Sequence, residues 1–153
     1  MVNVGVIGAG VMGSDHARFL SSNVQDATLA AITDADRARA EAIAVKVPGC
    51  RVLTDGAALI DDPKIDAVLV VSPDQTHYDL VQACLAAKKP VLCEKPLAFT
   101  AAECLKLCEA EMKLGQKLIQ VGFMRRFDPS YTAMKAELKS GKYGKTKIGT
   151  TAS

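Results

Sequence analysis

Six residues near the start of the chain, Gly8-Ala9-Gly10-Val11-Met12-Gly13, have the spacing to cradle a phosphate. They follow an apolar run at 2–7 and open a stretch of helical periodicity at 11–21. In that context Gly8 permits a tight turn, Gly10 lets backbone approach a pyrophosphate with no Cβ between them, and Gly13 lets the helix pack on the strand. The first helical residues, Val11 and Met12, would offer unpaired N–H groups and the positive end of the helix dipole. The other reading is a glycine-rich turn with no ligand. Asp34 stands 21 positions beyond Gly13, at the end of the second predicted strand. A carboxylate there accepts hydrogen bonds from the ribose hydroxyls of adenosine and repels a 2′-phosphate, which favours NAD over NADP. Asp34 can also cap the following helix, and the two roles are compatible. Arg37 and Arg39 argue for a 2′-phosphate, but both fall inside the predicted helix and neither directly follows the carboxylate.

Three further groups carry chemistry. Ser72-Pro73-Asp74-Gln75-Thr76-His77 ends a strand and starts a helix, with His77 in its first turn near where a nicotinamide would lie. A lone histidine at a helix start is more often structural. Glu94-Lys95-Pro96 follows an apolar strand. It reads either as a surface ion pair before a turn or as a lysine pointing into a ligand crevice. In the second case the ammonium could stabilise the alkoxide that develops as a hydride leaves. Val121-Gly122-Phe123-Met124-Arg125-Arg126-Phe127-Asp128 places two arginines beyond another strand. They read as a binding group for polyhydroxylated or anionic ligands, or as a solvated hinge. The basic stretch 139–147 reads as a turn, with a phosphate patch as the alternative.

These residues need elements to hold them. Apolar strands are predicted at 2–7, 28–33, 51–54, 67–72, 90–93 and 117–122, and helices at 11–21, 36–46, 57–61, 76–87, 101–114 and 129–140; strand-like residues resume at Lys147. Continuous apolar strands alternating with helices predict an α/β fold, a doubly wound parallel sheet covered on both faces. Ligands then sit beyond the carboxyl ends of the strands, where every group above falls. Residues 1–122 form the dinucleotide-binding domain, and 123–153 a bridging helix and the start of a further domain.

Composition excludes several classes. A net charge of +2 is too weak for a nucleic-acid or anionic-membrane surface, and the absence of Trp argues against base stacking. No leader pattern is visible, and no run approaches the ~18 apolar residues of a membrane span. The five cysteines, Cys50, Cys84, Cys93, Cys104 and Cys108, are odd in number and irregular in spacing, which fits reduced thiols in the cytoplasm. Cys104 and Cys108 share a helix face, but no second pair with zinc spacing accompanies them, so no metal is expected.

Taken together, residues 8–17, 72–77, 94–96 and 121–131 resemble the family of sugar and inositol dehydrogenases typified by glucose–fructose oxidoreductase and inositol 2-dehydrogenase. The last segment is similar to the inositol 2-dehydrogenase branch. The resemblance implies a Rossmann domain that binds NAD, and oxidation of a secondary hydroxyl of myo-inositol or a related polyol. It places Gly8, Gly10, Val11, Met12, Gly13, Asp34, Ser72, Pro73, His77, Glu94 and Lys95 at the cofactor, and Lys95 and Arg125 at the substrate, with Lys95 as the catalytic lysine. Position 74, often Asn in the family, is Asp here. The resemblance also implies a homo-oligomer, a tetramer, and a C-terminal substrate domain carrying an Asp-x-x-x-His general base. This chain ends where that domain would begin, so it is expected to bind cofactor and to turn over substrate negligibly. A non-catalytic dinucleotide sensor on the same domain, or a dehydrogenase for another sugar, are the alternatives; a pure sensor has no need of Lys95.

Overall fold

Short runs of β-branched and aliphatic residues, buried on both faces, build one parallel sheet. The strands are β1 Val2–Ile7, β2 Ala27–Thr33, β3 Arg51–Val52, β4 Ala67–Val70, β5 Val91–Cys93 and β6 Ile119–Val121. They lie in the order β3-β2-β1-β4-β5-β6, every pair parallel. The connections are α1 Val11–Ser22, α2 Arg37–Ala44, α3 Gly56–Asp61, α4 His77–Ala86 and α5 Ala101–Leu114. This computed structural model describes residues 1–144, which divide into a unit spanning Met1–Gly122 and a second beginning at Phe123. The second unit holds a 3-10 turn at Met124–Arg126 and α6 Pro129–Lys139. The predicted doubly wound sheet is the observed one. Its strand order reverses between β1 and β4, which opens a crevice at their carboxyl ends.

Two apolar layers sandwich the sheet. Val6, Leu29 and Ile32 pack with Ala17 and Ala40 under α1 and α2. Ile7, Val68, Val70, Val91 and Cys93 pack with Leu59, Val81 and Leu107 under α3, α4 and α5. Val6 and Ile7 enter opposite layers because successive strand residues point to opposite faces. The register slips between Val4 and Gly5, where Leu29 and Ala31 are the successive partners and Ala30 is extra. That bulge lets Leu29 and Ile32, three apart, share one layer.

Helix starts follow local chemistry. Asp36, Asp55 and Asp128 cap α2, α3 and α6, and Thr100 with Glu103 forms a capping box on α5. Several boundaries differ from those read in the sequence. The strand predicted to reach Ser72 leaves the sheet after Val70, and the helix predicted from Thr76 opens as a 3-10 turn over Asp74–Thr76. Pro73 brings no N–H to a ladder and favours a helical first turn. The strand predicted from Lys117 begins at Ile119, because Glu111 Oε1 takes the N–H groups of Leu118 and Ile119 at 2.7 and 2.6 Å. In the basic stretch, Gly141 and Gly144 have φ of 75° and 77°, as a turn requires; the strand-like residues from Lys147 lie outside the described residues. Among the described residues no helix is long and apolar enough to cross a membrane.

The five cysteines are free thiols. Burial pushes Cys84 and Cys93 up to about 12 and Cys50 to about 11, whereas Cys108 is exposed. A thiolate is the reactive form. Titration of the native chain with a disulfide reagent at mildly alkaline pH should therefore modify Cys108 first and leave Cys84 and Cys93 silent until denaturant is added. Rapid labelling of either buried thiol would show that the α4–α5 layer is not packed as described.

Candidate cofactor site

The β1–α1 turn is shaped by close backbone contact. Gly8 has φ +108°, and a Cβ there would sit 2.6 Å from the Val71 carbonyl oxygen. A Cβ on Gly13 would lie 1.9 Å from the Gly8 carbonyl oxygen, so this glycine serves helix packing. Gly10 differs: a Cβ there would meet nothing within 4 Å. Its bareness serves no internal contact and leaves open space over the start of α1, as a cradle for an incoming group would.

Beside this turn lies a cavity of about 880 Å³, lined mainly by apolar surface. Gly8, Gly10, Val11 and Met12 form one wall, Thr33 to Asp36 another, and Val71, Ser72 and Pro73 a third. Asp34 links two of them. Its Oδ2 accepts from the Ala9 N–H at 2.6 Å and its Oδ1 from the Asp36 N–H at 2.8 Å. A carboxylate has about four lone-pair positions, so two stay available for a diol. On the third wall the Thr76 hydroxyl donates to the Pro73 carbonyl at 2.7 Å, so Ser72 Oγ donates to Thr76 Oγ1 at 2.6 Å.

The remaining expected residues lie off this cavity. His77, expected at the cofactor, does not line the cavity. It is 1% exposed, with Nδ1 2.6 Å from the Pro96 carbonyl oxygen and Nε2 2.8 Å from that of Ser72. Its ring lies between these two carbonyls and donates to one of them in the neutral form, which helps to hold the ends of β4 and β5 together. Glu94 and Lys95 stand at the end of β5, and the Lys95–Pro96 peptide is cis. Lys95 is exposed. Glu94 turns inward: its Oε1 is 3.1 Å from His16 Nε2, its Oε2 accepts from the Lys95 N–H at 3.3 Å, and its carboxylate fills the space beside Gly122 where a Cβ would go. Arg125 belongs to the second unit, where its guanidinium lies 4.6 Å from the centre of the Tyr131 ring.

Several residues escaped the sequence reading. His16, on α1, reaches Glu94 across 78 positions. Its spacing of three from Gly13 was the available signal, since i,i+3 residues share a helix face. Thr54, Asp55, Gly56, Asp79 and Leu80 close the far end of the cavity. The turn after β3 also follows a strand's carboxyl end, so the rule that located the other groups applies to it too. Thr33, on the cavity wall, is 2% exposed and its Oγ1 has no hydrogen-bond partner. An unpaired buried hydroxyl costs about 1–3 kcal/mol. Thr33→Val, which keeps the shape and removes that group, should raise the urea midpoint of the ligand-free chain by an amount equal to about 1 kcal/mol. A fall in the midpoint would mean that the hydroxyl is satisfied.

Known proteins share this sequence and fold. Inositol 2-dehydrogenase 2 of Saccharopolyspora erythraea is 54% identical over 144 residues, covering 94% of this chain and 42% of the relative. Inositol 2-dehydrogenase of Acidothermus cellulolyticus is 52% identical over 143 residues, with the same coverage of 94% and 42%. The chain therefore spans less than half the length of these relatives. Among solved structures, myo-inositol dehydrogenase of Lactobacillus casei in complex with NAD(H) and myo-inositol superposes with a TM-score of 0.90 at 39% identity, over 94% of this chain and 43% of that one. The scyllo-inositol dehydrogenase of the same organism, with NAD(H) and scyllo-inositol bound, gives 0.89 at 30% identity, over 94% and 42%. Residues 2–123 match the family described as an oxidoreductase family with an NAD-binding Rossmann fold, and the chain belongs to that family.

Proposed function

We propose that this chain is the cofactor-holding part of a dehydrogenase that oxidises a secondary hydroxyl of myo-inositol or a closely related cyclitol, with NAD as the acceptor. The observation that carries the reading is the Asp34 carboxylate, braced against the glycine turn by the Ala9 N–H at the wall of a largely apolar cavity. Such a carboxylate recognises a ribose diol, and the open space over Gly10 suits a pyrophosphate. Val11 and Met12 present the first N–H groups of α1 to it, and Ser72 and Pro73 flank the course toward the end of β5. Bound NAD supplies a hydride acceptor. The chain's own contribution to the chemistry is Lys95, exposed at the end of β5, whose ammonium would donate to the substrate oxygen as negative charge develops there. Glu94 and His77 act behind it, holding the backbone on either side of the Lys95–Pro96 bond. Arg125 would contribute a substrate contact from the second unit. Among the described residues His16 and His77 are the only histidines, and both are committed to internal partners, so neither is placed to remove the hydroxyl proton. That base, most of the substrate pocket and the contacts of a homo-oligomer would come from the part of the relatives that this chain does not span.

The test is calorimetric titration of the chain with NADH, with NADPH as control. NADH should bind at least about tenfold more tightly, equivalent to ~1.4 kcal/mol. Gly10→Ala should unfold at the wild-type denaturant concentration and lose at least about tenfold in NADH affinity. Unchanged affinity in that variant would remove the pyrophosphate from the turn. With saturating NAD and myo-inositol, the chain alone should produce no NADH above background; robust turnover would place a general base within these residues.

A further inference from the structure

One wall of the cavity carries a charge arrangement of its own. Asp34, Asp36 and Arg39 all line it, and Arg39 is the only cation among the residues that do. Its guanidinium forms an ion pair with Asp36, Nε lying 3.2 Å from Oδ2. The other arginine of α2, Arg37, is turned away to Glu41 at 2.7 Å and does not reach the cavity. Asp36 holds a second role at the same time, since its Oδ1 caps α2 by accepting from the Ala38 N–H at 3.1 Å. Its own N–H is donated to Asp34. The three side chains thus form one unit at the end of β2, with a formal charge of −1 from two carboxylates and one guanidinium.

A guanidinium on the wall of a nucleotide cavity is the group best shaped to grip a phosphate monoester, through paired N–H donors. Here it already faces a carboxylate. We propose that Arg39 is a latent phosphate-binding residue and that Asp36 is the selectivity residue that keeps it occupied, so that a dinucleotide with a phosphate on its adenosine ribose meets two carboxylates and no unengaged cation. This rests on the dinucleotide reading above and deepens it, because Asp34 alone then does not set the preference. The Asp36–Arg39 pair is more than half exposed on both sides. An exposed pair is held weakly, so removal of the Asp36 charge should be enough to release Arg39 for a phosphate.

Asp36→Asn makes that change while preserving the helix cap, for which asparagine is as good as aspartate. The whole chain, as wild type, Asp36→Asn and the double variant Asp36→Asn/Arg39→Ala, would be titrated calorimetrically with NADH and NADPH. The ratio of the NADPH to the NADH dissociation constant should fall about tenfold in Asp36→Asn through tighter NADPH binding, and return toward the wild-type value in the double variant. An unchanged ratio in Asp36→Asn overturns the proposal. So does a gain that survives removal of Arg39, which would reflect relief of repulsion alone. If wild type binds NADH and only these ratios fail, the dinucleotide reading stands without this refinement. If wild type binds neither compound, both fall.

Discussion

The backbone contact of Gly13 with Gly8, which leaves no room for a Cβ on Gly13, is the constraint on which the rest depends. With no room for a Cβ on either residue, α1 settles directly onto the end of β1, and the end of β4 closes in from the other side. That contact fixes where the first N–H groups of α1 point and turns the Ala9 N–H toward Asp34. A larger residue at Gly13 would move the helix start as a body and carry the cavity wall with it. Gly10 sits between the two and is held by neither contact, so its lack of a side chain serves the space outside the protein rather than the packing inside.

Around that contact, side chains tie each strand end to the next. Asp34 joins the glycine turn to the end of β2, His77 joins the ends of β4 and β5, and Glu94 joins the end of β5 to His16 on α1. Each takes up a main-chain or side-chain group that the irregular backbone beyond a strand would otherwise leave unpaired. A crevice rim braced in this way is preorganised, and little rearrangement is needed when a ligand enters. The ties also divide the polar residues by role. His77 is consumed entirely by the scaffold, Asp34 keeps part of its accepting capacity, and Lys95 projects from a turn that Glu94 and His77 hold.

The groups that would grip the dinucleotide belong to the first unit, packed on the sheet. Lys95 belongs to the first unit and Arg125 to the second. The larger part of the relatives' length lies outside these residues, since the chain covers 42% of it.

The parallel sheet, its helices and the glycine turn were legible from residue order, because each depends on local pattern: apolar runs of strand length, helical spacing and glycines at fixed offsets. Asp34 was legible for the same reason, lying one crossover beyond the turn. Tertiary structure decided what depends on residues far apart in the chain. It withdrew His77 from the crevice by placing it between the carbonyls of Ser72 and Pro96, and it brought His16 to Glu94. It also put Arg39, but not Arg37, on the cavity wall, a choice set by which side of α2 faces the sheet edge. Local sequence specifies the element and its period; the rotation of that element, and the partner its polar groups find, are set only when the layers pack.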